Sequence, residues 1–412
     1  MQLALRLALA LFVTRACAVE TEWPEFRGPT GQGISDAKNV PLQWSATENV
    51  AWKVAVPGRG WSSPVLSKGR LYLTTAVGEE APVSLRALCF DARDGRTLWD
   101  VEVFQPAAGT TQMHRKNSLA SPTPIVTPDR LYVHFGHMGT AALDLEGKVV
   151  WKQTGVNYNP VHGTGGSPVL VDGNLVFSAD GGANPFVVAL DAATGEVRWK
   201  TPRQTQARKP FSFSTPLAVK VEGTTQVVSP GSGFVGAYDV QDGREIWRAN
   251  YGEGYSVIPR PVFAHGLLFV SSSFDKPVIK AIRPAGAKGD VTEKHVAWEL
   301  GRGAPHTASM VVVGEELYFV SDGGIAACAD ARTGKVHWSE RLGGNFSASP
   351  VVAEGAIYFF NESGACSVVK AGKTFELLET NALGEPTLAS PVPADGVLFV
   401  RSEGTLWRLG KP

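Results

Sequence analysis

The sequence predicts an all-β fold, an eight-bladed β-propeller of four-stranded antiparallel blades, and three observations predict it. A Trp recurs at Trp52, Trp99, Trp151, Trp199, Trp247, Trp298 and Trp338, spaced 40–52 residues apart. A residue followed by Pro, usually Ser or Thr, opens an apolar stretch at Ser63-Pro64, Ser121-Pro122, Ser167-Pro168, Thr215-Pro216, Arg260-Pro261, Ser349-Pro350 and Ser390-Pro391, and Ala308-Ser309 fills the remaining slot without Pro. Between these markers each unit has room for four short strands separated by turn residues, and helix signals are scarce. Four antiparallel strands in a repeat of this length make one propeller blade, and eight markers make eight blades.

Taken in chain order, the first segment stands apart. Arg6, the apolar run Leu7 to Val13 and the small residues Ala16-Cys17-Ala18 read as a secretory signal over residues 1–18, with the mature chain starting near Val19. A lipoprotein reading would lipidate Cys17, but Arg15 stands where that signal asks for a small residue, which favours plain secretion. Residues 19–44 form an N-terminal extension, and the propeller runs over about residues 45–410. The stretch 48–56, "ENVAWKVAV", is an orphan strand carrying Trp52. The last unit ends at 404–410, "GTLWRLG", one strand short. Pairing the two closes the ring and leaves no exposed sheet edge.

The third unit shows the grammar: a strand at "PVLV" (168–171), a turn, "NLVFSA" (174–179), a loop, then "FVVALDAATGEVRW" (186–199). In its "DAATG" turn, Asp caps its own backbone and Gly takes the positive-φ position. The Trp that ends each unit is expected to pack over the Thr-Gly turn of a neighbouring blade, contributing a few kcal/mol by area burial. Three units depart from the pattern. Unit two shortens the turn to "DLEGK" (144–148), unit five makes a longer excursion over 281–298, and unit seven offers "AGKTFELLE" (371–379) without a Trp.

Composition excludes several functions. Lys plus Arg and Asp plus Glu balance at 39 each, so no field favours nucleic acid. No apolar run beyond the N-terminus is long enough to span a bilayer. Cys89, Cys328 and Cys366 occupy equivalent slots of different units and read as small buried thiols. There is no G-x-S-x-G, H-E-x-x-H or P-loop.

The A-x-D-x-x-T-G-x-x-x-W and Ser-Pro pattern resembles the pyrroloquinoline-quinone (PQQ) repeat propellers over nearly the whole mature chain. That resemblance implies the fold strongly and the function weakly. The superfamily holds quinone-dependent alcohol dehydrogenases, with cofactor and calcium on the axis, and an outer-membrane assembly lipoprotein that binds partner proteins without a cofactor. The segments "WPEFRGPTGQG" (23–33) and "GRGWSSPV" (58–65) resemble a further group of secreted bacterial propellers. The dehydrogenases are known for adjacent Cys residues over the quinone, and no two Cys are adjacent here.

The candidate site is the channel rim, formed by the segments that lead into each inner strand and by the loops between second and third strands. These supply Arg59, Trp61, His114, Lys116, Asn117, His134, His137, His162, Phe211, Tyr255, Arg260, Arg302, His306 and Asn345. Arg and Lys suit an anionic ligand, and the flat rings suit a sugar-like ligand or a peptide loop. The histidines have no metal-ligand spacing and read as hydrogen-bonded side chains of a wet channel, while Asp180, Asp275 and Asp322 are oxygen donors that read equally as turn residues. The expected function is a secreted or periplasmic, non-catalytic binding or scaffold module. It would act as a monomer without a cofactor, taking a protein partner or a small polar or anionic ligand at the channel mouth. The alternative is a quinone-dependent oxidoreductase using PQQ and calcium at a non-standard site.

Overall fold

Eight separate antiparallel sheets make up the computed structural model, which describes residues 21–78, 82–106 and 113–411. The signal segment expected at 1–18 lies outside the described residues. In the third blade the strands Val169–Val171, Asn174–Ala179, Phe186–Asp191 and Val197–Pro202 neighbour one another in chain order. Their alternation is that of a sheet packed on both faces: the second and third strands are buried, and the outer strand is largely exposed on one side. The Asp191 carboxylate accepts the N–H groups of Ala193 (2.7 Å) and Thr194 (3.0 Å), and Gly195 turns the chain at φ +78°.

The ring closes as the strand count requires. Val50–Ala55 pairs antiparallel with Thr405–Leu409, which continues into Val397–Arg401 and Val392–Ala394. Both chain ends therefore lock the eighth blade, and its outer edge is supplied by the strand carrying Trp52.

The Trp contact repeats at six blade interfaces. The indole N–H groups of Trp52, Trp99, Trp151, Trp199, Trp298 and Trp338 donate to the carbonyls of Ala92, Leu145, Ala192, Val240, Ala331 and Gly372 of the next blade, at 2.9–3.3 Å. At five of these interfaces the ring lies against a turn glycine, whereas Trp338 meets Phe375 edge-on. A Cβ on Gly195 would stand 2.5 Å from the Trp151 ring. So Gly195 is needed twice, for its backbone conformation and for the indole above it. Covering an indole in this way, partly for most of them and fully for Trp199 and Trp338, contributes about 2–3 kcal/mol per interface.

The other two interfaces use different covers. Between blades four and five, Trp247 is fully buried and donates to Gln226 Oε1 (3.0 Å). The long excursion of unit five supplies a short strand, Gly289–Asp290, that pairs parallel with Trp247–Arg248, and Ala287 and Val291 join the same core cluster. Between blades seven and eight, Trp44 of the N-terminal extension packs on Tyr358 and Phe360 and shares a cluster with Leu398 and Trp407.

That extension also explains "WPEFRGPTGQG". It crosses the end of the channel where inner strands turn into second strands. Trp23 bridges Leu66 of blade one, Pro24 O accepts the Val126 N–H of blade two (2.8 Å), and Gln32 Oε1 accepts the Phe263 N–H of blade five (2.6 Å). The buried Arg27 guanidinium donates to the Met310 carbonyl before the inner strand of blade six. Ile34–Ser35 then pairs parallel with Val352–Ala353 of blade seven, and Lys38 meets the Asp395 turn of blade eight. Gly31, at φ +66°, lies against the Arg260 guanidinium, where a Cβ would stand 2.5 Å away.

Candidate functional site

The residue before each marker proline has a role that the sequence alone did not reveal. Its side-chain hydroxyl accepts a backbone N–H from the same slot of the preceding blade. Ser63 N donates to Thr123, Thr123 to Ser167, Ser167 to Thr215, Ser309 to Ser349, Ser349 to Ser390, and Ser390 back to Ser63, at 2.8–3.1 Å. Arg260 N donates to Ser309 (2.9 Å). Seven hydroxyls thus form a collar around the axis, each 2–4% exposed. Two expectations change. The marker of unit two is Thr123-Pro124, because Thr123 enters the collar and the inner strand starts at Ile125. Slot five holds Arg260, whose side chain turns down to the Pro216 and Phe26 carbonyls and to Glu25.

Above the collar lies a cup of about 420 Å³, open at the lead-in face, with residues from all eight blades in its wall and Phe26 of the crossing segment below. A file of rings runs around one side: His114, His162, Phe211, Tyr255, Phe274 and His306, with successive centroids 4.8–6.0 Å apart. Lys209 Nζ sits 4.0 Å over the Tyr255 ring. Burial, and then the neighbouring His114, hold the His162 imidazole below its usual pKa, so it is neutral at pH 7. Lys116 Nζ reaches Glu362 of blade seven at 2.6 Å, an ion pair spanning from blade two, and Ser347 also donates to that carboxylate. Asp322 accepts the N–H groups of His306 and Thr307 (3.0 Å each) and the Thr307 hydroxyl (2.7 Å), fixing the lead-in of blade six.

Of the fourteen residues singled out, Trp61, His114, Lys116, Asn117, His162 and Tyr255 line the cup. Phe211 and His306 belong to the ring file just behind it. The Asn117 amide donates to the His162 carbonyl (2.8 Å), tying the lead-ins of blades two and three together. The Trp61 indole N–H meets no acceptor among the described residues. Arg59 lies exposed on the rim, donating to the Arg115 carbonyl, and Arg302 and Asn345 are exposed outside the cup.

Three placements differ from expectation. His134 is 1% exposed, hydrogen-bonded to Thr140 (2.8 Å) and packed on Phe177 of blade three, 4.3 Å between centroids, and burial pushes its imidazole down to about 3. It faces the blade interface because its strand alternates, and a loop assignment from sequence put it one element too far. His137 packs edge-on against Tyr158, away from the cup wall. Arg260, 1% exposed, anchors the crossing segment beneath the collar. Among the carboxylates, Asp180 is buried 3.2 Å from Arg203 and accepts Ser212 O–H, and Asp275 is exposed in blade five. Cys89, Cys328 and Cys366 are buried free thiols in the third strands of blades one, six and seven. Phe213, Phe274 and the collar hydroxyls were missed; the Ser-Pro markers themselves were the signal for the collar.

The family profile described as outer membrane protein assembly factor BamB matches three overlapping stretches, 36–161, 147–274 and 231–374. Subunit 1 of methanol dehydrogenase [cytochrome c] from Paracoccus denitrificans is 32% identical over 145 residues, which is 31% of this chain and 22% of that protein. The assembly factor BamB of Moranella endobia is 23% identical over 250 residues, 51% of this chain and 60% of that protein. The chain therefore matches about a fifth of the dehydrogenase and somewhat more than half of the assembly factor. The crystal structure of BamB from Moraxella catarrhalis shares the fold, with a TM-score of 0.57 at 12% identity over 88% of this chain and 97% of that one. This chain belongs to the family of PQQ-repeat propellers described by the assembly factor BamB.

Proposed function

We propose that this chain is a secreted or periplasmic binding propeller that works without catalysis and holds its ligand, or a loop of a protein partner, in the axial cup. The observation that carries this reading is the construction of the cup. All eight blades and the crossing segment converge on it, with a hydroxyl collar at the base and rings along the wall of blades three to five. Around the rest, polar groups of blades two, six and seven flank Trp61 and Leu388. Repeat architecture asks only for the collar and the clasps. The variety above the collar is what a binding pocket adds. The relatives named as assembly factors favour a protein partner as one form of the same reading.

A quinone-dependent oxidoreductase would need a different set of residues around the axis. A quinone bearing several carboxylates asks for several unpaired cations, and calcium asks for convergent oxygen donors. Lys116, the cation in the cup wall, is paired with Glu362, while Arg260 is committed below the collar. Asp180 is paired with Arg203 in blade three, and Asp322 holds its own loop. These residues do not fit that group. Adding PQQ and calcium to the purified protein tests the point. No binding by calorimetry and no dye-linked alcohol oxidation are expected; stoichiometric binding with turnover would overturn the proposal. Mass spectrometry of the mature N-terminus checks secretion, which predicts a start near Val19 and an unlipidated chain.

A further inference from the structure

We infer that the cup recognises a neutral saccharide, with a pyranose ring against the aromatic wall and its hydroxyls on the collar. This deepens the binding reading above and rests on it.

The collar comes first. Each of its seven hydroxyls uses one lone pair to accept a backbone N–H, and among the described residues none of them donates its own proton to a protein acceptor. Every one of these residues lines the cup. The base is therefore a ring of groups that each keep a donor and a second lone pair for an occupant. A hydroxyl both donates and accepts. So a partner rich in hydroxyls satisfies such a ring whatever its rotation, whereas a flat aromatic ligand would leave the collar unpaired, which costs free energy.

The wall gives the second half. His162, Phe213, Tyr255 and Phe274 place apolar ring surface along blades three to five, and Trp61 and Leu388 add a smaller apolar patch across the cup. Asn117, Ser121, Ser347 and Asp322 place polar groups between the two. An occupant with one apolar C–H face and a polar edge matches this division, and a pyranose has that shape. Charge decides the class. Lys116 is neutralised by Glu362, and the Asp322 carboxylate already accepts two N–H groups and a hydroxyl. Among the described residues that line the cup, an anionic ligand therefore meets no Lys or Arg without an ion-pair partner, and a cationic one meets no carboxylate without donors. Lys209, at the edge of the ring file, is held over the Tyr255 ring. The volume of about 420 Å³ lies within the range of small-molecule pockets, about 300–1,000 Å³.

The test is calorimetric titration of the whole chain with glucose, maltose, cellobiose and N,N′-diacetylchitobiose, with galacturonic acid and glucosamine as charged counterparts and PQQ as the flat anion. At least one neutral sugar is expected to bind one-to-one, about tenfold more tightly than either charged sugar. Tyr255→Ala is expected to weaken it about tenfold, and Thr215→Val, which keeps the shape of the collar and removes one hydroxyl, by about threefold. Thermal unfolding checks that each variant folds; should Thr215→Val fail to fold, Phe274→Ala at the partly exposed wall takes its place. Binding of galacturonic acid or PQQ in preference to every neutral sugar overturns the saccharide class and leaves the cup as a binding site. Sugar binding unchanged in Tyr255→Ala and in the second variant overturns the cup as its location. No binding of any of these small molecules overturns the saccharide inference, and the proposed binding function then stands only in its protein-partner form.

Discussion

The outer edge of this ring and its axis are built by opposite strategies. At the edge one contact is repeated: at six interfaces an indole lies on the turn of the next blade and donates to a carbonyl there. On the axis the collar repeats, but immediately above it no two blades present the same side chains: Trp61, His114 with Lys116, His162, Phe213, Tyr255, Thr307, Ser347 and Leu388. Repetition marks what every blade needs in order to stack on its neighbour. Departure from repetition, where stacking does not require it, marks where an occupant is recognised.

The sharpest way to break this contrast is at the edge. Trp151→Ala removes an indole from over Gly195 and leaves the Ala192 carbonyl without its donor. It is expected to cost about 3 kcal/mol of unfolding free energy, the lower end for large aromatic deletions because the ring is only half-buried. Chemical denaturation would measure this, and ligand affinity should stay unchanged in the folded fraction. A loss of affinity as large as the loss of stability would show that the edge and the axis are not separable.

His134 tests the division from the other side, since it varies between blades yet serves the interface. Buried, its imidazole titrates at about 3 against an unfolded value near 6.5. Between these values the unfolded chain binds the extra proton, so stability is complete above about pH 6.5 and is lost as pH falls towards 3. The slope contributed is at most about 1.4 kcal/mol per pH unit. His134→Phe should be less stable at pH 7, where Thr140 loses its partner. Its stability should then fall less steeply than that of the parent between pH 6 and 4, as measured by urea midpoints. Parallel slopes would place His134 in a wetter setting than the blade interface.

These two residues also show how much the sequence discloses. Trp151 was legible because its role is periodic: spacing, turn glycine and neighbouring blade all follow from one repeat. The blade count and the closing strand were legible for the same reason. His134 was not, because position in a repeat does not say which way a side chain faces when the strand end is uncertain by one residue. Arg260 misled for a related reason. It stands in a rim-forming slot, but its partners, Phe26 and Glu25, lie more than two hundred residues earlier in a segment with no repeat to place it. The crossing of the channel by residues 23–35 is long-range packing, to which local pattern is blind. The collar was visible as Ser-Pro markers, yet its chemistry emerged only when seven distant hydroxyls met.

The collar should be intermediate in effect. Ser349→Ala leaves the Ser309 N–H without its acceptor in a buried ring and is expected to cost about 1–2 kcal/mol. Differential scanning calorimetry would detect it. The loss should be smaller than that of Trp151→Ala, because the small side chain buries little area.

The smallest effect is expected at the mouth, where the contrast makes its most specific demand. Lys116 and Glu362 form a close ion pair, but both ends are partly exposed, 38% and 20%, so water screens the attraction and two long side chains lose freedom in forming it. Lys116→Met should therefore change stability by less than about 0.5 kcal/mol. It also leaves Glu362 as an unpaired carboxylate beside the cup, behind Ser347, whose hydroxyl is then the one remaining side-chain donor to it among the described residues. The cup then gains a net negative charge while its collar and rings are untouched. Affinity for galacturonic acid should fall further below that for neutral sugars, and the gap should narrow as salt is raised. If Lys116→Met instead unfolds the protein at low denaturant, this pair is a brace between blades two and seven, and variation at the mouth is as much architecture as the clasps at the edge.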